Sequence, residues 1–304
     1  MKPDNSLKQY EKYITILGTR GASKTTILGC LGLTCEIESV NNPKFTYDIN
    51  EHTVGIRKII SDLCQGRFPP ETPPGHIYEA DIEMTWGNGW SGKKSVLLPL
   101  METAGEDVEH LIGAYRKDPY RQVSNYQQAE ALNKIIARSN AYILVVPVSR
   151  IPGPYPQVVD EEPDSLLSNP DVNIVRILDG IYSYRKRAHS KNIEGIAVLL
   201  TKYDMVAEWL KSRGMDLFTS EGLHLFLNTY LRQTMAKLKR YGYQKVRFFP
   251  VYVKVAKEIL LDGKVRFVKD EDGFIIETDP QYNLPLYTQQ SYHQVIQWVK
   301  DIVA

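Results

Sequence analysis

Residues Gly18 to Thr26 read GTRGASKTT, and residues of these types can hold a phosphate chain. Small side chains let successive backbone N–H groups converge on an anion. Lys24 could reach the terminal phosphates, and the Thr25 hydroxyl could meet a divalent metal. From Gly18 to Lys24-Thr25 the spacing is G-x-x-x-x-G-K-[ST]. Thr19, Arg20, Gly21 and Ala22 lie between, and Ser23 stands where the second glycine belongs. If that backbone position needs a positive φ, serine fits under strain; if it needs only a small side chain, serine suffices. Taken alone, the run also reads as a plain glycine-containing turn from strand to helix.

Two further stretches could join the same chemistry. Glu102-Thr103-Ala104-Gly105-Glu106-Asp107 and Thr201-Lys202-Tyr203-Asp204 each follow an apolar run. The first also reads as a helix cap, the second as a short common string. Between Gly66 and Gly75 four prolines surround Thr72 and forbid helix or ordinary strand.

The elements that must position these residues follow from periodicity. Tyr13 to Leu17 reads as a strand, and Ile27 to about Leu33 completes the first helix. Thr34 to Pro74 shows no strong strand, though Glu51 to Cys64 has helical spacing. His76 to Trp86 and Ser95 to Met101 make a hairpin. Ala141 to Val148, Ile193 to Leu200 and Val246 to Val253 read as buried strands. Val172 to Arg187, Leu217 to Tyr241 and Ser291 to Val303 read as helices, the second as one long amphipathic helix. Ser149 to Pro170 reads as an inserted loop. Glu258 to Thr278 reads as an appended β-hairpin with turns at Asp262-Gly263 and Asp272-Gly273. Alternating strands and helices imply an α/β fold, a mostly parallel sheet with helices on both faces. In such sheets ligands sit beyond the C-terminal strand ends. The loops at Gly18, Glu102 and Thr201 all follow such ends.

Composition bounds the rest. The chain has 304 residues, 43% hydrophobic and 24% charged, with a net charge of +1, so bulk charge gives no case for nucleic acid or membrane. Cys30, Cys35 and Cys64 lack metal spacing and read as buried thiols in a reducing compartment. The polar start MKPDNSLKQYEK predicts no signal peptide. The longest apolar run, Ala141 to Val148, falls far short of the roughly 20 residues that span a bilayer. A cytoplasmic protein without a membrane anchor is the expectation.

With its loops in this order the chain resembles a P-loop GTPase of the Ras-like, translation-factor-related (TRAFAC) class. GTRGASKT, Thr72 before a β-hairpin, ETAGED and TKYD carry the likeness. Pro69-Pro70-Glu71-Thr72 and Asn283-Leu284-Pro285-Leu286 resemble the double-GTPase branch of that class. The resemblance implies one G domain over 1–304, with insertions at about 34–75, 149–170 and 258–280 outside the compact core. It implies GTP/GDP and Mg²⁺ as ligands, held around Gly18 to Thr26. Thr25, Thr72 and Glu102 would hold the metal, Glu102 replacing the usual aspartate. Gly105 would meet the γ-phosphate through its N–H. Lys24, Thr72, Gly105 and Glu106 would form the catalytic set. Glu106 stands where Ras-like enzymes orient water with glutamine; an ionised carboxylate cannot donate a hydrogen bond, so slow hydrolysis follows. Asp204 would accept both guanine N1–H and N2–H₂, a pair adenine lacks. Lys202 would lie along the base, and Thr201, replacing asparagine, would tie the loops more weakly. Val251 to Ala256, with Tyr252 and Val253 toward the base, would stand for the family's Ser-Ala-Lys loop.

The function implied is a GTP-dependent switch with a protein regulator or effector on its switch loops. A non-hydrolysing nucleotide-binding scaffold and a P-loop ATPase or kinase are the alternatives. Arg20 and Arg67 are candidate cis arginines that more often face solvent. Trp86 and Trp90 flank a turn and suit either a partner patch or packing.

Overall fold

The structure, a computed structural model, describes residues 12–18, 22–51, 55–69, 78–87, 94–102, 136–151, 169–188, 192–259, 265–271 and 273–303. Seven strands form the main sheet: β1 (Lys12–Gly18), β2 (Phe45–Glu51), β3 (Tyr78–Trp86), β4 (Lys94–Glu102), β5 (Ala141–Pro147), β6 (Gly195–Thr201) and β7 (Val246–Pro250). Their order is β2-β3-β4-β1-β5-β6-β7. From β4 through β1, β5 and β6 to β7 every pairing is parallel, and β2 and β3 add an antiparallel edge. The mostly parallel α/β sheet expected from the sequence is what the chain forms.

Seven α-helices are described: α1 (Lys24–Asn41), α2 (Ile56–Cys64), α3 (Pro170–Arg187), α4 (Ala207–Ser212), α5 (Ser220–Tyr230), α6 (Arg232–Tyr241) and α7 (Gln289–Val303). Buried strands alternate their side chains between two cores. Ala141, Ile143 and Val145 join the core under α1, α2 and α7, while Tyr142, Leu144 and Val146 join the one under α3 to α6. Helices therefore cover both faces. The closing helix α7 buries Val295, Ile296, Trp298, Val299, Ile302 and Val303, the face its spacing marked.

Three sequence expectations need correction. The first helix continues to Asn41, eight residues past Leu33. The 34–75 stretch is no excursion outside the core: β2 and α2 supply buried Phe45, Ile49, Ile56, Ile59 and Leu63. Phe45, Tyr47 and Ile49 alternate with polar residues in β2, a weak signal in an edge strand. The long helix over Leu217 to Tyr241 is two helices, broken at Leu231 between α5 and α6. Asp171 makes that break stable. Its carboxylate accepts from Gln233 N (2.9 Å), Thr234 N (2.8 Å) and Thr234 Oγ1 (2.7 Å), capping the second helix from another element.

The appended hairpin resolves into two short ladders, β8 (Lys257–Ile259) with β9 (Val265–Phe267), and β10 (Lys269–Asp270) with β11 (Gly273–Phe274). The segment does not stand wholly apart, because Ile276 is buried in the main core. Of the loop over 149–170, residues 152–168 lie outside the described ones. Cys30 and Cys35 are buried free thiols, and burial pushes the Cys30 thiol up to about 12.

Candidate nucleotide site

Strand register brings the informative loops to one sheet edge. Gly18 pairs with Val145, and Pro147 pairs with Thr201. The pairing Lys12↔Val96 and Tyr13↔Leu97, continued along both strands, sets Glu102 beside Gly18. Val251 N donates to Leu200 O at 2.9 Å, so the chain leaving β7 departs from the same edge. Thr19, Arg20, Gly21, Thr72, Gly105 and Glu106 lie outside the described residues, and Glu102 is placed by its backbone alone.

The turn from β1 into α1 is tightly built. A Cβ on Gly18 would lie 2.9 Å from Val145 Cβ and 3.4 Å from Lys24 Cγ, so a side chain there would collide with β5. Lys24 Nζ donates to Gly18 O at 3.1 Å and folds the lysine back across the turn. Lys24, Thr25 and Thr26 are buried in the first turn of α1. Ser23 takes φ 67 and ψ 31, the left-handed region. That settles the question its identity raised: the position requires a positive φ, and serine holds it at a cost. Among the described residues no side chain caps this helix start, and its first turn holds no acidic residue. The positive end of the helix dipole lies at the same sheet edge.

The loop after β6 is fastened to this turn. Thr201 Oγ1, buried, lies 3.2 Å from Ala22 O and 3.2 Å from Val146 O. One hydroxyl proton serves those two carbonyls, where a carboxamide would bring two. The tie exists, with half the donors an asparagine would offer. Lys202 takes φ 57 and turns the chain into a short 3-10 turn, Tyr203–Met205. Tyr203 is buried and donates to Asp216 Oδ1 at 3.1 Å. Its ring packs against Phe218 and Tyr252 at 5.5 and 6.5 Å between centroids.

Asp204 rides on that turn. Its Oδ2 is buried and has no hydrogen-bond partner among the described residues. Burial pushes the carboxyl up to about 6, against Lys257 and the N–H groups of Val255, Asp204 and Met205, which favour the anion. Lys257 Nζ also donates to Asp204 O at 3.1 Å. A buried carboxylate oxygen without a donor is costly unless a ligand meets it.

The chain after β7 does approach Asp204, but further along than expected. Tyr252 and Thr288 hydrogen-bond each other: Tyr252 N donates to Thr288 Oγ1 at 3.1 Å, and Thr288 N to Tyr252 O at 3.2 Å. Val253 bridges Tyr287. The residues that reach Asp204 are Val255 and Lys257. Ala256-Lys257 keeps two letters of the Ser-Ala-Lys pattern, and that was the available signal. The aromatic brace of Tyr203 and Phe218 had none, since it depends on a tertiary contact.

No family model and no curated protein matches the sequence. Solved structures that it resembles include the GTPase-like domain of S. cerevisiae Ski7 bound to GDP and inorganic phosphate: 17% identity over 79% of this chain, TM-score 0.37. The chain spans 42% of the length of that structure's chain. It also resembles nucleolar GTP-binding protein 1 from Plasmodium falciparum, at 8% identity over 81% of this chain and 79% of that one, TM-score 0.35. A third is the signal recognition particle receptor SRb-GTP/SRX complex of Chaetomium thermophilum, at 15% identity over 78% and 93% of the two chains, TM-score 0.33. With TM-scores this low the likeness decides nothing about what the site binds; the residues must.

Proposed function

We propose that this chain is a P-loop GTP-binding protein that hydrolyses GTP slowly and acts as a nucleotide-dependent switch. The observation that carries the reading is the Thr201 Oγ1 to Ala22 O hydrogen bond. It joins the turn into α1 to the turn that carries Asp204 at one sheet edge, and a buried carboxylate oxygen on the second has no partner among the described residues. Guanine fits that carboxylate, because N1–H and N2–H₂ are parallel donors; adenine presents an acceptor at N1.

Each residue then has a task. The α1 N-terminus and the turn from Gly18 to Lys24 bind the phosphates, and Lys24 gives its ammonium to the β- and γ-oxygens. Thr25, Thr72 and Glu102 offer the all-oxygen donor set a hard cation takes and would hold Mg²⁺. When bound, Mg²⁺ neutralises charge on the β- and γ-phosphates. Gly105 N–H would meet the γ-phosphate, and Glu106 would face the attacking water without a proton to donate, which makes turnover slow. Regulator or effector proteins would read the segments around Thr72 and Gly105.

Native mass measurement of the purified protein should find GDP or GTP. Asp204→Ala should abolish the preference for GDP over ADP; unchanged tight GDP binding would overturn the guanine assignment. Single-turnover phosphate release that depends on Lys24 and Thr25 separates the switch from a non-hydrolysing scaffold.

A further inference from the structure

The segment that returns from the β8 to β11 ladders does more than close a hairpin. Ile275 and Ile276 run between two other pieces of chain. On one side Val255 bridges Ile276, and Ala256 N donates to Ile275 O at 2.8 Å. On the other, Arg67 bridges Ile275, and Ile276 N donates to Gly66 O at 2.7 Å. Ile276 is buried in the core that holds Ile56, Ile59 and Leu63 of α2 and Val251 and Val253 after β7. Val268 completes the clasp: its N–H donates to Ala256 O at 2.9 Å and its carbonyl accepts from Ile275 N at 3.1 Å.

We propose that Ile275 and Ile276 are positioning residues for base recognition, holding the strand of Val255, Ala256 and Lys257 against the Asp204 turn and tying that contact to Gly66 and Arg67. This rests on the guanine reading above and goes beyond it. A carboxylate that reads two parallel donors must keep its plane fixed. One side of that constraint is this strand: Lys257 Nζ donates to Asp204 O at 3.1 Å, and the backbone N–H of Val255 favours the carboxylate's anion. The strand's place is set by the bonds that flank the Val255–Ile276 bridge, Ala256 N to Ile275 O at 2.8 Å and Glu277 N to Lys254 O at 2.9 Å. Gly66 is built to accept Ile276. It takes φ +79, and a Cβ there would lie 3.2 Å from Ile276 O, so any side chain presses on the clasp. Gly66 and Arg67 also open the proline-rich stretch that contains Thr72. The clasp therefore makes base occupancy and the setting of that stretch's first residues parts of one hydrogen-bonded structure.

The test uses the full chain and two nucleotides, GDP and IDP, which lacks the 2-amino group. The wild type should bind GDP about tenfold or more tightly than IDP, the size expected for one hydrogen bond to a charged acceptor. Gly66→Ala, and Ile276→Pro, which removes the N–H to Gly66, should each pull that ratio several-fold toward one. Ile276→Val, which keeps the N–H, should preserve it. A ratio unchanged in Gly66→Ala and Ile276→Pro, or an equal loss for both nucleotides, overturns the positioning role. Hydrogen exchange on the nucleotide-free protein keeps the two claims apart. If the wild type does not distinguish GDP, IDP and ADP, the guanine reading fails by itself. Faster exchange at Val255 and Ala256 in Gly66→Ala but not in Ile276→Val would then still support the clasp, and unchanged exchange would overturn it.

Discussion

Helix α3 opens with Asn169 Oδ1 accepting from the N–H groups of Asp171 (3.0 Å) and Val172 (3.5 Å); α1 opens with no side-chain cap among the described residues. The contrast runs further. α3 has Pro170 and Asp171 in its first turn, a proline at a position that needs no N–H and an acid at the positive dipole end. α1 has Lys24, a cation at the same end, together with a left-handed serine before it. By the ordinary rules of helix stability α1 begins badly. The two helix starts, equal in helix length, thus differ in how far their own sequence stabilises them, and on the proposed reading that difference marks α1 as the phosphate-binding one.

Lys24→Ala should break the contrast hardest. Nucleotide affinity should fall on the order of 1000-fold, about 4 kcal/mol, because the proposed site loses a buried ammonium that would meet the phosphates. Unfolding of the ligand-free protein should change far less, since removing a cation from a positive helix end has a compensating gain. Isothermal titration beside a denaturant melt measures both. A variant that loses stability and keeps affinity would make α1 an ordinary helix start.

Asp171→Ala is the opposite experiment. It strands Gln233 N, Thr234 N and Thr234 Oγ1, so the unfolding free energy should drop by about 3 kcal/mol. Nucleotide affinity should stay where it was. Urea unfolding with unchanged m-value, and GDP titration on the folded fraction, check the pair of outcomes.

The same contrast explains what the sequence disclosed. Val145, Leu144 and Leu199 announce buried strands through unbroken apolar runs, and register alone then carries Gly18, Glu102 and Thr201 to one edge. Asp171 was invisible as a cap, because its partners lie on α6, 62 and 63 residues away. For that reason Leu217 to Tyr241 read as one helix. β2 hid behind three apolar residues in an edge position, where one-sided burial leaves a faint pattern. The candidate Asp204 was legible from Thr201 to Asp204, whereas the approach of Val255 and Lys257 to it is a tertiary matter that no residue type advertises. Ser23 could be narrowed to two conditions, and only a dihedral angle could choose between them.

A third measurement tests the role proposed for Asp204. The Asp204 carboxyl is held up to about 6 by burial, above its ordinary 3.8. Folding therefore favours its protonated form. That contribution to stability is fully present below pH 3.8 and is lost as pH rises through 6. Guanine binding needs the anion, so affinity for GDP should weaken below pH 6, approaching tenfold per unit. Asp204→Asn should show a flat profile over the same range. A wild-type affinity that is level from pH 5 to 7 would detach Asp204 from the ligand.

Ser23→Gly should have the smallest effect and isolates what the phosphate turn costs. A residue with a Cβ pays about 1–2 kcal/mol in the left-handed region. Glycine avoids that and gives back roughly 0.5–1 kcal/mol through its freer unfolded chain. The net expectation is a gain of about 0.5–1 kcal/mol in the ligand-free protein, read by chemical denaturation. Ser23→Ala keeps the Cβ at φ 67 and should show no such gain. If alanine stabilises as much as glycine does, the cost lies in the hydroxyl, and the backbone at this turn carries no strain. If only glycine does, the turn before α1 is held in its shape against local preference by Gly18, Val145 and the Thr201 tie.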